Sequence, residues 1–230
     1  MKLKLLLCIL LSISFGIHAA DDKHAAPNDY DKGLSAYQNK DYATALMLWY
    51  PLAEKGDAQT QFMLGNMYLL QGGDRFDPQK AIMWYERAAI QNHLTAQAAL
   101  GRIYLNGQYV EQNFKLALKW LTEEARQDEP ASQYKVARLY HLGTGVQKNT
   151  GKAAYWYLKA ADLGYSEAQT ALALMHLNGD GLKKDISQAI DLLQKSAAQG
   201  DSIAQFNLGR IYRDGIENTP VDLARAYTLF

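Results

Sequence analysis

The sequence predicts an all-α solenoid of antiparallel helix pairs, and three observations predict it. The first is a period. Gln61, Gln97, Gln133, Gln169 and Gln205 stand 36 residues apart. Four residues beyond each come Gly65, Gly101, Ala137, Ala173 and Gly209, and three further on Tyr68, Tyr104, Tyr140, His176 and Tyr212. A fixed period of roughly 20–50 residues marks an array of one repeated supersecondary unit. The second is a row of Asp and Asn in the same step: Asp41, Asp77, Asn113, Asn149 and Asp185. Their side chains accept from the free N–H groups of a first helical turn, at about 1 kcal/mol per cap. The third is alanine at two places after each cap. Ala45, Ala81, Ala117, Ala153 and Ala189 form one row, and Ala53, Ala89, Ala125, Ala161 and Ala197 the other. Eight residues apart, the two rows share a helix face on which a neighbouring helix can approach closely.

Taken in order, Asp21 to Asn28 is a polar lead-in with one proline. Tyr30 to Gln38 reads as a short helix with Gly33, Leu34, Ala36 and Tyr37 inward. Asp41 opens a second helix through Lys55, and Gly56 closes it. From there each unit holds a helix A and a helix B, about 93–106 and 113–127 in the second unit. Pro78 follows the Asp77 cap at the first helical position, where its missing N–H costs nothing. Gly56, Gly164 and Gly200, with Asn92 and Asp128 in the matching places, end the B helices, because Gly and Asn tolerate the left-handed backbone that closes a helix. Gly107, Gly143, Gly179 and Gly215 end the A helices. The bulky row Leu48, Trp84, Trp120, Trp156 and Leu192 is expected to fill the space between repeats as core. The recurrent glutamine, whose amide both donates and accepts, is expected to bind backbone at the turn between adjacent repeats. One residue is inserted between Gly215 and the sixth cap, Asp222.

Length and composition bound the class. The chain has 230 residues, 48% apolar and 21% charged, which is globular. Lys plus Arg and Asp plus Glu both number 24, and no basic patch stands out, so nucleic acid is not an expected partner. Lys2 and Lys4, the apolar run Leu5 to Ile17 and the small residues Ala19 and Ala20 read as a secretory signal peptide over residues 1–20, cleaved near Ala19 or Ala20. The run is too short for a stable membrane span. The expected destination is the periplasm or beyond. Cys8, the one cysteine, lies inside that signal, so no disulfide staples the mature fold.

Chemistry is sparse. No Gly-x-Ser-x-Gly nucleophile pattern occurs. The glycine pairs Gly143/Gly145 and Gly179/Gly181 are turns, with no Gly-Lys-Ser/Thr after them to cradle a phosphate. His24, His93, His141 and His176 contain no i, i+4 ligand pair; His141 and His176 across repeats are a conceivable metal pair, set against the plainer reading of a polar residue at a packed position. Glu123 and Glu124 read as a solvated charge pair on a B helix. The reading is therefore no enzyme, with no catalytic residue, cofactor or metal.

The pattern Ala-Gln-x-x-Leu-Gly-x-x-Tyr-x-x-Gly, followed by Asp/Asn, Ala, Trp-Tyr and Ala-Ala before Gly, resembles the Sel-one-like repeat, a cousin of the tetratricopeptide repeat. Thr144-Gly145-Val146, Asn149, Ala153, Trp156-Tyr157 and Ala160-Ala161 carry it most closely. The resemblance covers about 29–230 as one array of some six helix pairs. It implies a right-handed α-solenoid and a role as an adaptor or scaffold for protein complexes, with secreted bacterial members linked to envelope signalling or host contact. One secreted branch has cysteine pairs and links to β-lactamase activity, a branch from which this chain departs. An envelope enzyme, β-lactamase-like or peptidoglycan-acting, and a secreted factor that binds host protein are the competing functions.

The A-helix positions left over from the core are expected to line a concave groove. One row gives Asn66, Arg102, Arg138, Leu174 and Arg210; with its i−3 and i+4 neighbours it adds Lys135, Asn207, Asn106 and Asn178 as candidate contacts. An arginine line through Arg102 and Arg138 suits a carboxylate, so the expected partner is a protein or peptide, acidic in character. The alternative is a solvated face without a ligand. At the far end, the helix after Asp222 is expected to be about two turns long and to dock Leu223, Ala226, Tyr227 and Phe230 on the helix from Ala204 to Asp214. A bare outer side there would fit a longer array or self-association through the C-terminal end.

Overall fold

The computed structural model describes residues 28–70, 76–216 and 219–229, so the signal-peptide reading, Cys8 and His24 lie outside the described residues. Within them the chain is an α-solenoid of six helix pairs, each helix packed on its neighbours in sequence. The pairs are α1 (Asp29–Gln38) with α2 (Tyr42–Glu54), α3 (Ala58–Tyr68) with α4 (Pro78–Ala89), and α5 (Leu94–Asn106) with α6 (Phe114–Ala125). They continue as α7 (Pro130–Leu142) with α8 (Thr150–Asp162), α9 (Ser166–Asn178) with α10 (Ile186–Ala198), and α11 (Ser202–Asp214) with α12 (Leu223–Tyr227). Among the described residues no helix is long and apolar enough to cross a membrane.

The cap row does what its chemistry predicts. The side chains of Asp41, Asp77, Asn113, Asn149 and Asp185 each accept from a backbone N–H three residues on, at 2.8–3.1 Å. From Asp77 onwards the same residue's own N–H donates to the carbonyl of the repeat Tyr or His, as in Asn113 to Tyr104 at 2.9 Å and Asp185 to His176 at 3.1 Å. The cap therefore starts helix B and closes the loop from helix A with one residue. Asp222 keeps both bonds despite the inserted residue, which an Ile216–Thr219 bridge absorbs. Asn92 and Asp128 have φ of +65° and +60°, the left-handed values that glycine takes in the other units.

The first alanine row is fully buried, from Ala45 to Ala189. The bulky row is a correction to the sequence reading. Trp84 and Trp120 are buried, but Leu48, Trp156 and Leu192 are only half-buried. The rung that is buried in each of the first five units is the next residue: Trp49, Tyr85, Leu121, Tyr157 and Leu193; its sixth member, Phe230, lies outside the described residues. The rung packs into the small-residue socket of helix A. A Cβ on Gly65 would collide with the Tyr85 ring, and one on Gly101 would lie 2.7 Å from Leu121 Cδ2. Helix α12 needs a second correction. Leu223 and Tyr227 are exposed, whereas Ala226 and Leu229 pack into the last core cluster. These two inward positions are the alanine row and the bulky row of every other B helix, so the repeat register, not the i, i+3, i+4, i+7 stripe, sets which face turns in.

The recurrent glutamine binds backbone at the turn between units. Gln61, Gln97, Gln133, Gln169 and Gln205 donate from Nε2 to the carbonyls of Ala53, Ala89, Ala125, Ala161 and Ala197, at 2.9–3.3 Å. Those carbonyls belong to the last turn of the preceding B helix, and those of Ala53, Ala89, Ala161 and Ala197 also take a backbone N–H from the residue three places on, so the glutamine supplies their second bond. A second glutamine, thirty residues on, completes the clamp: Gln91, Gln127 and Gln199 donate to the Oε1 of Gln61, Gln97 and Gln169. The third unit has Leu163 in that place, and Gln133 Oε1 is buried without a partner. Leu163 is half-exposed at the end of α8, with ordinary helical-side backbone. Leu163→Gln should therefore raise the thermal midpoint by the worth of one buried hydrogen bond, roughly 1 kcal/mol. Gln97→Leu, which removes the bond to the Ala89 carbonyl and the bond from the Gln127 amide, should cost about 1–3 kcal/mol at roughly 0.5–1.5 kcal/mol per bond. An unchanged midpoint for Leu163→Gln would show that Gln133 Oε1 is already satisfied.

Candidate functional site

The A helices carry the candidate groove, and the structure divides its residues. Arg102, Arg138, Arg210, Asn106 and Asn178 are exposed, while Lys135 and Asn207 are half-buried. Asn66 is not open: its Oδ1 accepts from the Tyr85 hydroxyl at 2.8 Å. The i−3 row is closed at its start, since Met63 and Ala99 are buried. Asn207 spends its amide on the Ile203 carbonyl at 2.7 Å.

Helices α5 and α7 contain Arg102, Lys135 and Arg138 and no carboxylate. Among the described residues none of these three, nor Arg210, forms a salt bridge. Arg138 lies over the Tyr134 ring at 5.8 Å and Arg210 over Phe206 at 5.9 Å. At that distance the ring face attracts the cation and leaves its N–H donors available to a carboxylate.

Two hollows open along this face. One, of about 270 Å³, is lined by Leu105, Phe114, Leu139 and Leu142, with Lys135 and Arg138 beside them. The other, of about 400 Å³, gathers Leu174, Leu177 and Ile211 with Asn178, Asn207 and Arg210. The structure thus brings together Lys135 with Arg138, and Asn178 with Asn207 and Arg210. Arg102 and Asn106 line neither hollow.

One residue of this region escaped the sequence reading. Glu124 is not a solvated partner of Glu123. It is half-buried between α6 and α7, and its carboxylate accepts from the Ser132 hydroxyl at 2.5 Å. Burial pushes its carboxyl above the usual value, while the Ser132 bond and the charges of Lys135 and Arg102 pull the other way. The signal was present: the two positions are Ala88 and Ala96 one unit earlier and Ala160 and Ala168 one unit later. A Glu and a Ser replacing two packed alanines together mark a polar pair in an apolar seam.

Nothing is assembled for metal chemistry. Among the described residues no group of three His, Cys, Asp or Glu side chains is placed to hold an ion. His141 Nε2 instead meets Asp180 Oδ2 at 3.0 Å, with its ring edge-on to Tyr157, and His176 Nδ1 is buried without a partner.

Glu124 makes the fold sensitive to pH. Its folded pKa is raised, so the folded chain holds this proton to higher pH than the unfolded chain does. Its contribution to stability therefore falls as pH rises from about 4.3 through the raised value. Glu124→Gln should melt higher than the parent at pH 7 and close to it at pH 3. An equal difference at both pH values would return Glu124 to the solvated role of Glu123.

The family model for the Sel1 repeat matches six times, at residues 29–57, 58–93, 94–128, 130–165, 166–201 and 202–230. No curated protein matches the chain. A solved protective antigen present in uropathogenic Escherichia coli strains, displaying an SLR fold, is 32% identical with a TM-score of 0.75, over 87% of this chain and 44% of that one. A Sel1 repeat protein from Oxalobacter formigenes is 29% identical with a TM-score of 0.72, over 87% of this chain and 59% of that one. The chain therefore spans about half the length of these solved relatives.

Proposed function

This chain belongs to the Sel1 repeat family, and from that premise we propose that it is a non-catalytic interaction scaffold of the bacterial envelope that binds an acidic peptide segment of a partner protein along a groove formed by its A helices. Repeats of this family serve generally as scaffolds for protein interaction. The observation that carries the finer reading is the set Arg102, Lys135 and Arg138, three cations on two successive A helices that contain no carboxylate, beside the half-buried Glu124 of α6, which is bonded to Ser132. Exposed guanidinium groups recognise carboxylates by paired N–H donors, and a row of them attracts an acidic chain before contact. The envelope assignment rests on the basic, apolar and small-residue order of residues 1–20.

Two measurements test the reading. A fluorescent glutamate-rich peptide should bind the purified mature protein, more weakly as salt is raised. Arg102→Ala with Arg138→Ala should weaken it at least tenfold with unchanged helical circular dichroism. Equal affinity of parent and double variant overturns the groove. Separately, the protein recovered from cells should begin at Ala20 or Asp21 by intact-mass analysis; a mass retaining residues 1–19 overturns the envelope assignment.

A further inference from the structure

The two hollows occupy the same place in the repeat, two units apart. Leu105, Arg138, Leu139 and Thr144 of the first become Leu177, Arg210, Ile211 and Ile216 of the second. Lys135 becomes Asn207, and Leu142 becomes Asp214. In the unit between them the same positions are joined by a side-chain contact. There His141 stands for Leu105 and Asp180 for Thr144, and their side chains meet at 3.0 Å across the gap. The A-helix face therefore alternates: an open apolar cup with an arginine, a bridged position, and a second cup with an arginine.

We propose that this face reads an extended peptide by two apolar side chains, one seated in each cup, each beside an acidic residue held by Arg138 or Arg210. The inference rests on the acidic-peptide reading above and adds the anchors and their spacing. The cups themselves indicate the occupant's chemistry. Leu142 is 65% exposed at the mouth of the first cup, an apolar surface with no covering side chain of this chain. Arg138 at that cup has no carboxylate within salt-bridge distance among the described residues. At the second cup the one acid, Asp214, is taken by Arg213 through two hydrogen bonds of 2.6 and 2.8 Å. A folded domain would meet a broad flat surface; two separate cups in line on one face suit a strand-like chain whose pockets take particular side chains.

The spacing follows from geometry. Successive like helices of a stack lie roughly one helix diameter, about 10 Å, apart, so the cups are roughly 20 Å apart. An extended chain advances about 3.3 Å per residue, which places the anchors about six residues from each other.

The test uses the mature protein and three synthetic acidic peptides of equal length and charge. One has two leucines six residues apart, one has them three residues apart, and one has alanine in both places. The six-residue peptide should bind at least tenfold tighter than the other two. Leu142→Ser and Leu174→Ser, on the open sides of the first and second cups, should each remove most of that gain and leave the alanine peptide unaffected. If all three peptides bind alike, the anchors are overturned and the acidic groove stands. If the three-residue spacing binds as well as the six, the two-cup reading is overturned. If none binds, the acidic-peptide reading falls with it.

Discussion

The last carbonyls of a helix have no donor within the helix, and in a stack of short helices they recur at every turn. Here a single glutamine answers that need in each unit. Its amide reaches back eight residues to the alanine carbonyl of the preceding B helix, and its own oxygen takes a donor from the end of the B helix ahead. Three helix ends are tied at one buried side chain. The turn's own backbone N–H already meets most of these carbonyls, as Asn92 does Ala89 at 3.0 Å, so the glutamine adds a second, longer-range bond of about 0.5–1.5 kcal/mol that fixes how one repeat follows the next. The alanine rows and glycine sockets then pack around a geometry already set at the turns.

This division of labour leaves the A-helix surface to other uses. The B helices bury their alanine stripe and rung against the A helices, and the A helices receive them on the side that bears Gly65, Gly101 or Ala137. About 100° round the helix from that socket, the flank of the A helix is exposed in three of the units. That is where Arg102, Arg138 and Arg210 stand, and where residues change from unit to unit without loss of the stack.

Much of the fold is legible in the sequence because its determinants are local and repeated. A cap, a left-handed closing residue and a small-residue stripe each act within a few positions, and five copies remove the ambiguity of one. The failures share a cause. Trp84 and Tyr85 are adjacent and both bulky, and at 100° per residue both flank the seam; only the opposing glycine decides which goes deeper. Glu124 looks solvated until Ser132, eight residues away across a turn, is placed beside it. In the groove, the sequence aligns Asn66 with Arg102, but Tyr85 from the facing helix claims Asn66. The cups were not legible at all, because each is bounded by residues of two units and the connecting loop.

The missing glutamine at Leu163 leaves the start of α7 without its second tie, and another contact of the same helix stands close by in the chain. At the end of α7 the His141 ring meets Asp180, in the loop after α9, at 3.0 Å. That contact joins one unit to the next between the first cup and the second. In an array whose units touch mainly their neighbours, an A helix can thus lose a tie at its start and hold one at its end.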